Sequence, residues 1–85
     1  MQTLGEYRVG TGFNPTGDEL VDRIKAKAAA LIDLIGEIPA GDKPPHPPAG
    51  EIARLKALAM TAAEEAAVWA VKAATKPGPG NETGQ

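Results

Sequence analysis

From Leu20 to Ile38 the apolar positions Leu20, Ile24, Ala28, Leu31, Ile35 and Ile38 recur at intervals of three and four residues, with Asp22, Arg23, Asp33 and Glu37 opposite. That period predicts an ordinary amphipathic α-helix over about residues 17–38. A second periodic run, about 50–76, is less ordinary. Ile52, Leu55, Leu58, Ala59, Ala62, Ala66, Trp69, Ala70 and Ala73 form one face, and Met60, Ala63, Ala67, Val71 and Ala74 form another, about 120° away at 100° per residue. Only a narrow strip with Arg54, Thr61, Glu64, Glu65 and Lys72 stays polar. Between the two runs lies "PAGDKPPHPPAG", residues 39–50, whose prolines cannot continue a helix. The two helices are therefore expected to fold back as an antiparallel hairpin, behind an N-terminal arm over residues 1–15 and ahead of a disordered tail over 77–85. No alternation of period two is present, so the fold class is all-α and residues 1–76 form one hairpin domain.

The second helix decides the assembly. A helix that is apolar nearly all round is buried nearly all round, and one hairpin partner cannot cover two faces. A symmetric homo-oligomer follows, with the face of Ala63 and Ala67 expected at a close contact between subunits. Oligomerisation also suits the chain's size: 85 residues without cysteine, and with a single histidine set among linker prolines, have neither a disulfide nor a structural zinc site to stabilise a small core.

Local signals mark where the first helix begins. In "TGDE", Thr16 is expected as N-cap with Glu19 closing a capping box, and Pro15 and Leu20 as the apolar pair around it. Tyr7, Arg8, Gly10, Gly12, Phe13 and Asn14 are not explained by that helix start. One account of them is a glycine-bent arm that packs its aromatics on the helices.

Charge and chemistry narrow the function. A net charge of −2 and a pI near 5.3 argue against a binder of polymeric nucleic acid, while a small anion held by converging cations is allowed. "MQTLGEYRVG" lacks the features of a signal peptide, and no apolar run reaches membrane-spanning length, so the expected location is the cytoplasm, with no membrane partner. Serine and cysteine are both absent, no Glu-x-x-His pair exists, and "GTG" follows no strand; neither an enzyme nor a cofactor is expected. Glu64 and Glu65 read as helix-surface ion-pair partners. The cations are more informative. Lys25 lies at the edge of the apolar stripe, its stem on apolar surface and its ammonium within reach of a boundary pocket, and Lys27 flanks the other edge. On the second helix Arg54, Thr61 and Lys72 are aligned, within about 20° of one another. In a symmetric oligomer each cation recurs from several subunits, enough to neutralise phosphates despite the negative total.

Those residues carry a resemblance. "RLKALAMTAAEEAAVWAVKAATK" is similar to the hairpin domain of the phage anti-CBASS and Thoeris anti-defence sponges, with Arg54, Thr61, Glu64, Glu65, Trp69 and Lys72 in the family's spacing. "YRVGTGFNPTGDELVDRIKAKAAALIDLI" resembles the family's opening helix, lysine included, here Lys25, so the likeness spans residues 7–76. The resemblance implies a small helical oligomer, typically a hexamer, that binds cyclic di- or trinucleotides or cyclic ADP-ribose isomers and withholds them from defence effectors without cleaving them. It further implies two pocket types. One joins an N-terminal aromatic, Tyr7 or Phe13, to Lys25 on cyclic dinucleotides; the other uses Arg54 on cyclic trinucleotides. The candidate ligand-binding residues are Tyr7, Arg8, Phe13, Asn14, Lys25, Arg54 and Thr61. The competing expectations are a structural helical oligomer or assembly adaptor whose arm only packs on its neighbours, and a DNA-binding accessory protein.

Overall fold

A computed structural model describes residues 1–41 and 47–79. Three helices make up its regular structure: α1 (Leu4–Val9), α2 (Glu19–Gly36) and α3 (Glu51–Thr75). α2 packs against both of the others, and α2 and α3 form the expected hairpin. Lys43 and His46 of the linker, and the tail beyond Pro79, lie outside the described residues. The chain is elongated, with principal extents of 61 × 27 × 14 Å, and at the arm end α1 touches α3 as well as α2.

The first correction concerns the arm, part of which is a helix. Thr3 Oγ1 accepts from the Glu6 N–H at 3.1 Å while Glu6 Oε1 accepts from the Thr3 N–H at 2.9 Å, a complete capping box. Gly10, at φ 77°, ends α1 in the left-handed region and donates its N–H to the Glu6 carbonyl at 2.9 Å. Gly5 lets α1 lie directly on α2: a Cβ there would stand 2.0 Å from the Ala29 carbonyl oxygen. The Gly5 N–H, one of the free donors of the first turn, is taken by Asp33 Oδ1 of α2 at 2.7 Å.

The start of α2 differs too. Its N-cap is Asp18, whose carboxylate accepts from the Leu20 N–H at 2.9 Å, so Thr16 and Glu19 form no capping box. Thr16 instead accepts from the Asp18 N–H at 3.1 Å and donates to Asn14 Oδ1 at 2.7 Å. The Asn14 amide donates at 2.9 Å to both the Asp18 carbonyl and the Asp22 carboxylate, which fixes the first helical turn two residues later than expected.

The buried faces are rotated from those expected. On α2 the face turned inward carries Val21, Lys25, Ala29, Ile32 and Ile35; it shares Ile35 with the stripe read in the sequence and is centred about 90° round from it. Leu20, Leu31 and Ile38 of that stripe are exposed. Ile32 is fully buried, a burial worth about 1.5–3 kcal/mol. On α3, Ala63 and Ala67 are buried within the chain itself, which overturns their expected place between subunits, while Leu55, Leu58, Val68 and Trp69 are exposed. On α3 the residues that turn inward are small, so that it can approach closely, and its larger apolar residues are left outside. At the linker end Lys56 reaches across from α3 to donate to the carbonyls of Gly36 and Ile38, supplying a cation to the C-terminus of α2, which has none in its own last turn.

Candidate ligand-binding site

Lys25 is the centre of the arm end. It stands on the inward face of α2 between Val21 and Ala29, and only 9% of it is exposed. Its Nζ donates to the carbonyls of Gly10, at 3.2 Å, and of Phe13, and lies 5.5 Å from the centroid of the Phe13 ring. Neither ion pair among the described residues includes it, so two carbonyl dipoles and a π face hold the ammonium in place of a carboxylate. Gly10 at positive φ bends the chain back so that these carbonyls turn toward Lys25. A positive charge held this way, with no acid against it, remains attractive to an anion.

Two clefts meet at Lys25. One, of about 250 Å³, lies among Arg8, Val9, Glu64, Ala67, Val68 and Val71. The other, of about 160 Å³, is bounded by Phe13, Asn14, Pro15, Thr16, Val21, Val71 and Thr75. Each is smaller than the roughly 300–1,000 Å³ that encloses a drug-sized ligand.

The structure brings some expected site residues together and separates others. Arg8 of α1 donates through Nε to Glu64 Oε1 at 2.9 Å and reaches Thr61 Oγ1 through Nη2 at 3.4 Å, so Arg8 and Thr61 meet at one corner. Phe13, 69% exposed, is beside Lys25, whereas Tyr7, 73% exposed, lines neither cleft. Asn14 borders the smaller cleft, but its amide is committed to the turn before α2. Arg54 stands apart, ten residues before Glu64 on α3, a rise of about 15 Å. Glu51 engages its Nε and Nη2 at 3.0 and 2.7 Å, which holds the Glu51 carboxyl below its usual pKa and raises that of Arg54. Lys72 lies 5.4 Å from the Trp69 ring centroid on the outside of α3.

Glu64 is the residue whose place the sequence did not reveal: it does form an ion pair, but across helices to Arg8 rather than along its own helix. Val68, Val71 and Thr75 also line the clefts without having been singled out as site residues. The capping box of Thr3 and Glu6 was the available signal, since it predicts a helix that carries Arg8 toward α3.

Residues 6–75 match the family model described as Acb2/Tad1, hairpin domain. The chain belongs to that family. Acb2/Tad1 proteins are the anti-CBASS and anti-Thoeris sponges, and the matched segment takes in most of α1 and all of α2 and α3, with every candidate residue named above. No curated protein and no solved structure matches the chain. Among the described residues no helix is long and apolar enough to cross a membrane, and no group of three or more histidine, cysteine, aspartate or glutamate residues could hold a metal ion.

Proposed function

We propose that the protein is a sponge for cyclic nucleotide immune signals: it binds cyclic di- or trinucleotides or cyclic ADP-ribose isomers in the host cytoplasm and withholds them without cleaving them. Membership of the Acb2/Tad1 family points to the ligand class. The observation that carries the reading to this chain is Lys25, a nearly buried ammonium with no carboxylate partner, set against an exposed aromatic ring. A ring to stack on a base beside a cation for a phosphate is a pairing suited to nucleotides. In this reading Phe13 is the stacking residue of the Lys25 pocket and Arg54 serves a second pocket at the linker end, where a ligand phosphate shares or displaces Glu51. Withholding without turnover fits a chain with no serine or cysteine nucleophile.

The sponge acts as a homo-oligomer, and a hexamer suits the family likeness. Supporting this is the apolar surface that the hairpin leaves outside. Leu55, Leu58 and Trp69 lie along one uncovered face, and each cleft is small enough to need walls from another subunit. Leu58→Glu should dissociate the assembly while leaving the hairpin folded, read by analytical ultracentrifugation.

Calorimetry and thermal shift against cyclic di-AMP, cyclic di-GMP, cyclic GMP–AMP, cyclic triadenylate and cyclic ADP-ribose isomers test the function. A ligand at a hundred times its Kd should add about 2.7 kcal/mol. The bound ligand, released by denaturation, should be recovered intact. Linear product in excess over protein would make the chain an enzyme, and a flat screen at millimolar ligand would leave a structural oligomer whose arm only packs on its neighbours.

A further inference from the structure

In the cleft between α1, α2 and α3 two cations, Arg8 and Lys25, share the wall with a single acid, Glu64. Glu64 Oε1 accepts from Arg8 Nε at 2.9 Å, with the two side chains 40% and 24% exposed. Arg8 also reaches Thr61 through Nη2. A guanidinium carries five N–H groups in a rigid fork, so three remain for another acceptor. A carboxylate seated on that fork occupies one of the positions from which a phosphate oxygen would accept.

We propose that Glu64 is a built-in counter-anion of the ligand cleft: its carboxylate holds Arg8 in place and lowers the affinity of the cleft for anions. The proposal rests on the cyclic nucleotide reading and concerns how that site selects. With Glu64 ionised, the Arg8, Lys25 and Glu64 group carries a net single positive charge; without it, two. A small anion that offers charge and little else gains too little to compete with an intramolecular carboxylate. A cyclic dinucleotide, which adds base stacking and a second phosphate, gains enough. Glu64 thus discriminates by repulsion, keeping abundant mononucleotides and inorganic phosphate out of a site meant for a rarer ligand.

The test is a double-mutant cycle on Arg8 and Glu64, titrated with the tightest cyclic dinucleotide of the panel above and with AMP as the small-anion comparison. Glu64→Gln keeps an acceptor for Arg8 Nε and removes the charge. It should bind the dinucleotide about three- to tenfold more tightly and AMP by a larger factor, and its affinity should fall more steeply with salt. Arg8→Gln leaves Glu64 unneutralised in the cleft and should weaken the dinucleotide by on the order of tenfold or more, with part of the loss restored in the double variant. A purely structural ion pair predicts otherwise: both variants lower the melting temperature and neither changes the affinity or its salt slope. Wild-type binding together with a Glu64→Gln variant that binds equally or more weakly overturns the counter-anion. A wild type that binds no member of the panel removes the sponge reading, and the proposal with it. Should Glu64→Gln not fold, Arg8→Gln alone decides: unchanged affinity for the dinucleotide overturns the proposal.

Discussion

At the arm end of the hairpin Lys25 and Arg8 are held by other elements, the carbonyls of Gly10 and Phe13 and the carboxylate of Glu64. At the linker end Arg54 is held by Glu51, three residues away on the same helix and open to solvent. The first pair of cations exists in its observed place only if the whole arm is docked; the second needs no more than the first turn of α3. Under the proposed function, substitutions at the arm end should therefore change folding and binding together, whereas at the linker end binding should be alterable with little effect on folding.

The strongest way to break this contrast is Gly5→Ala. The added Cβ would meet the Ala29 backbone oxygen at 2.0 Å, so α1 must move off α2 and lose the Asp33 contact. Overpacking of this kind destabilises by roughly 1–3 kcal/mol or more. Hydrogen exchange should show fast amides through residues 5–13 with α3 still protected, and binding at Lys25 should be lost while binding at Arg54 persists. Protection of α1 equal to wild type would contradict the close approach.

Next in size is the pair Lys25→Ala and Arg54→Ala. Each removes a charge-assisted phosphate contact of about 1.5–3 kcal/mol, or ten- to a hundredfold in affinity. Lys25→Ala is expected to weaken cyclic dinucleotides and also to loosen the arm, since the Gly10 and Phe13 carbonyls lose their donor. Arg54→Ala should weaken cyclic trinucleotides with only a small fall in melting temperature, from the loss of the exposed Glu51 pair. Equal effects of both variants on both ligands would mean one pocket, not two. Phe13→Ala against Tyr7→Ala sharpens the arm side, with roughly 1–3 kcal/mol expected at Phe13.

Smaller again is Lys56→Met at the linker end. It withdraws the donor that α3 lends to the carbonyls of Gly36 and Ile38, for a loss of about 0.5–1.5 kcal/mol in chemical denaturation. The smallest effect is acid sensitivity at Glu51. Its folded-state pKa is lowered from 4.5 by Arg54, so its stabilising contribution is complete above the unfolded value and is lost as pH falls through the lower, folded one. Glu51→Gln should lower the melting temperature slightly at neutral pH and converge on the wild type in acid, so that its profile is flatter below about pH 4.5.

The hairpin was legible because a three-to-four period and a proline-rich break are properties of the chain alone. Which face turns inward was not. On α2 the single stripe is flanked by Val21, Ala29 and Ile32, which widen it on one side; α3 is apolar on two sides, and alanine reads the same whether it packs inside a subunit or between two, so Ala63 and Ala67 gave no sign of their partner. α1 was hidden by its length, six residues with a glycine, although its capping box stood in the sequence. The burial of Lys25 was legible because a lysine amid Val21, Ala28 and Ala29 has to lie along apolar surface. The link from Arg8 to Glu64 spans 56 residues and depends on how α1 docks, which no local pattern encodes.

Trp69 is the single tryptophan of the chain, and 64% of it is open to water. An indole in that position emits at long wavelength, because solvent dipoles relax around its excited state. A subunit laid over the face of Leu55, Leu58 and Trp69 would shield the ring and shift its emission to shorter wavelength. The protein is in this sense its own optical gauge of association. Dilution followed in unlabelled wild-type material reports assembly separately from ligand, since Trp69 lines neither cleft at Lys25.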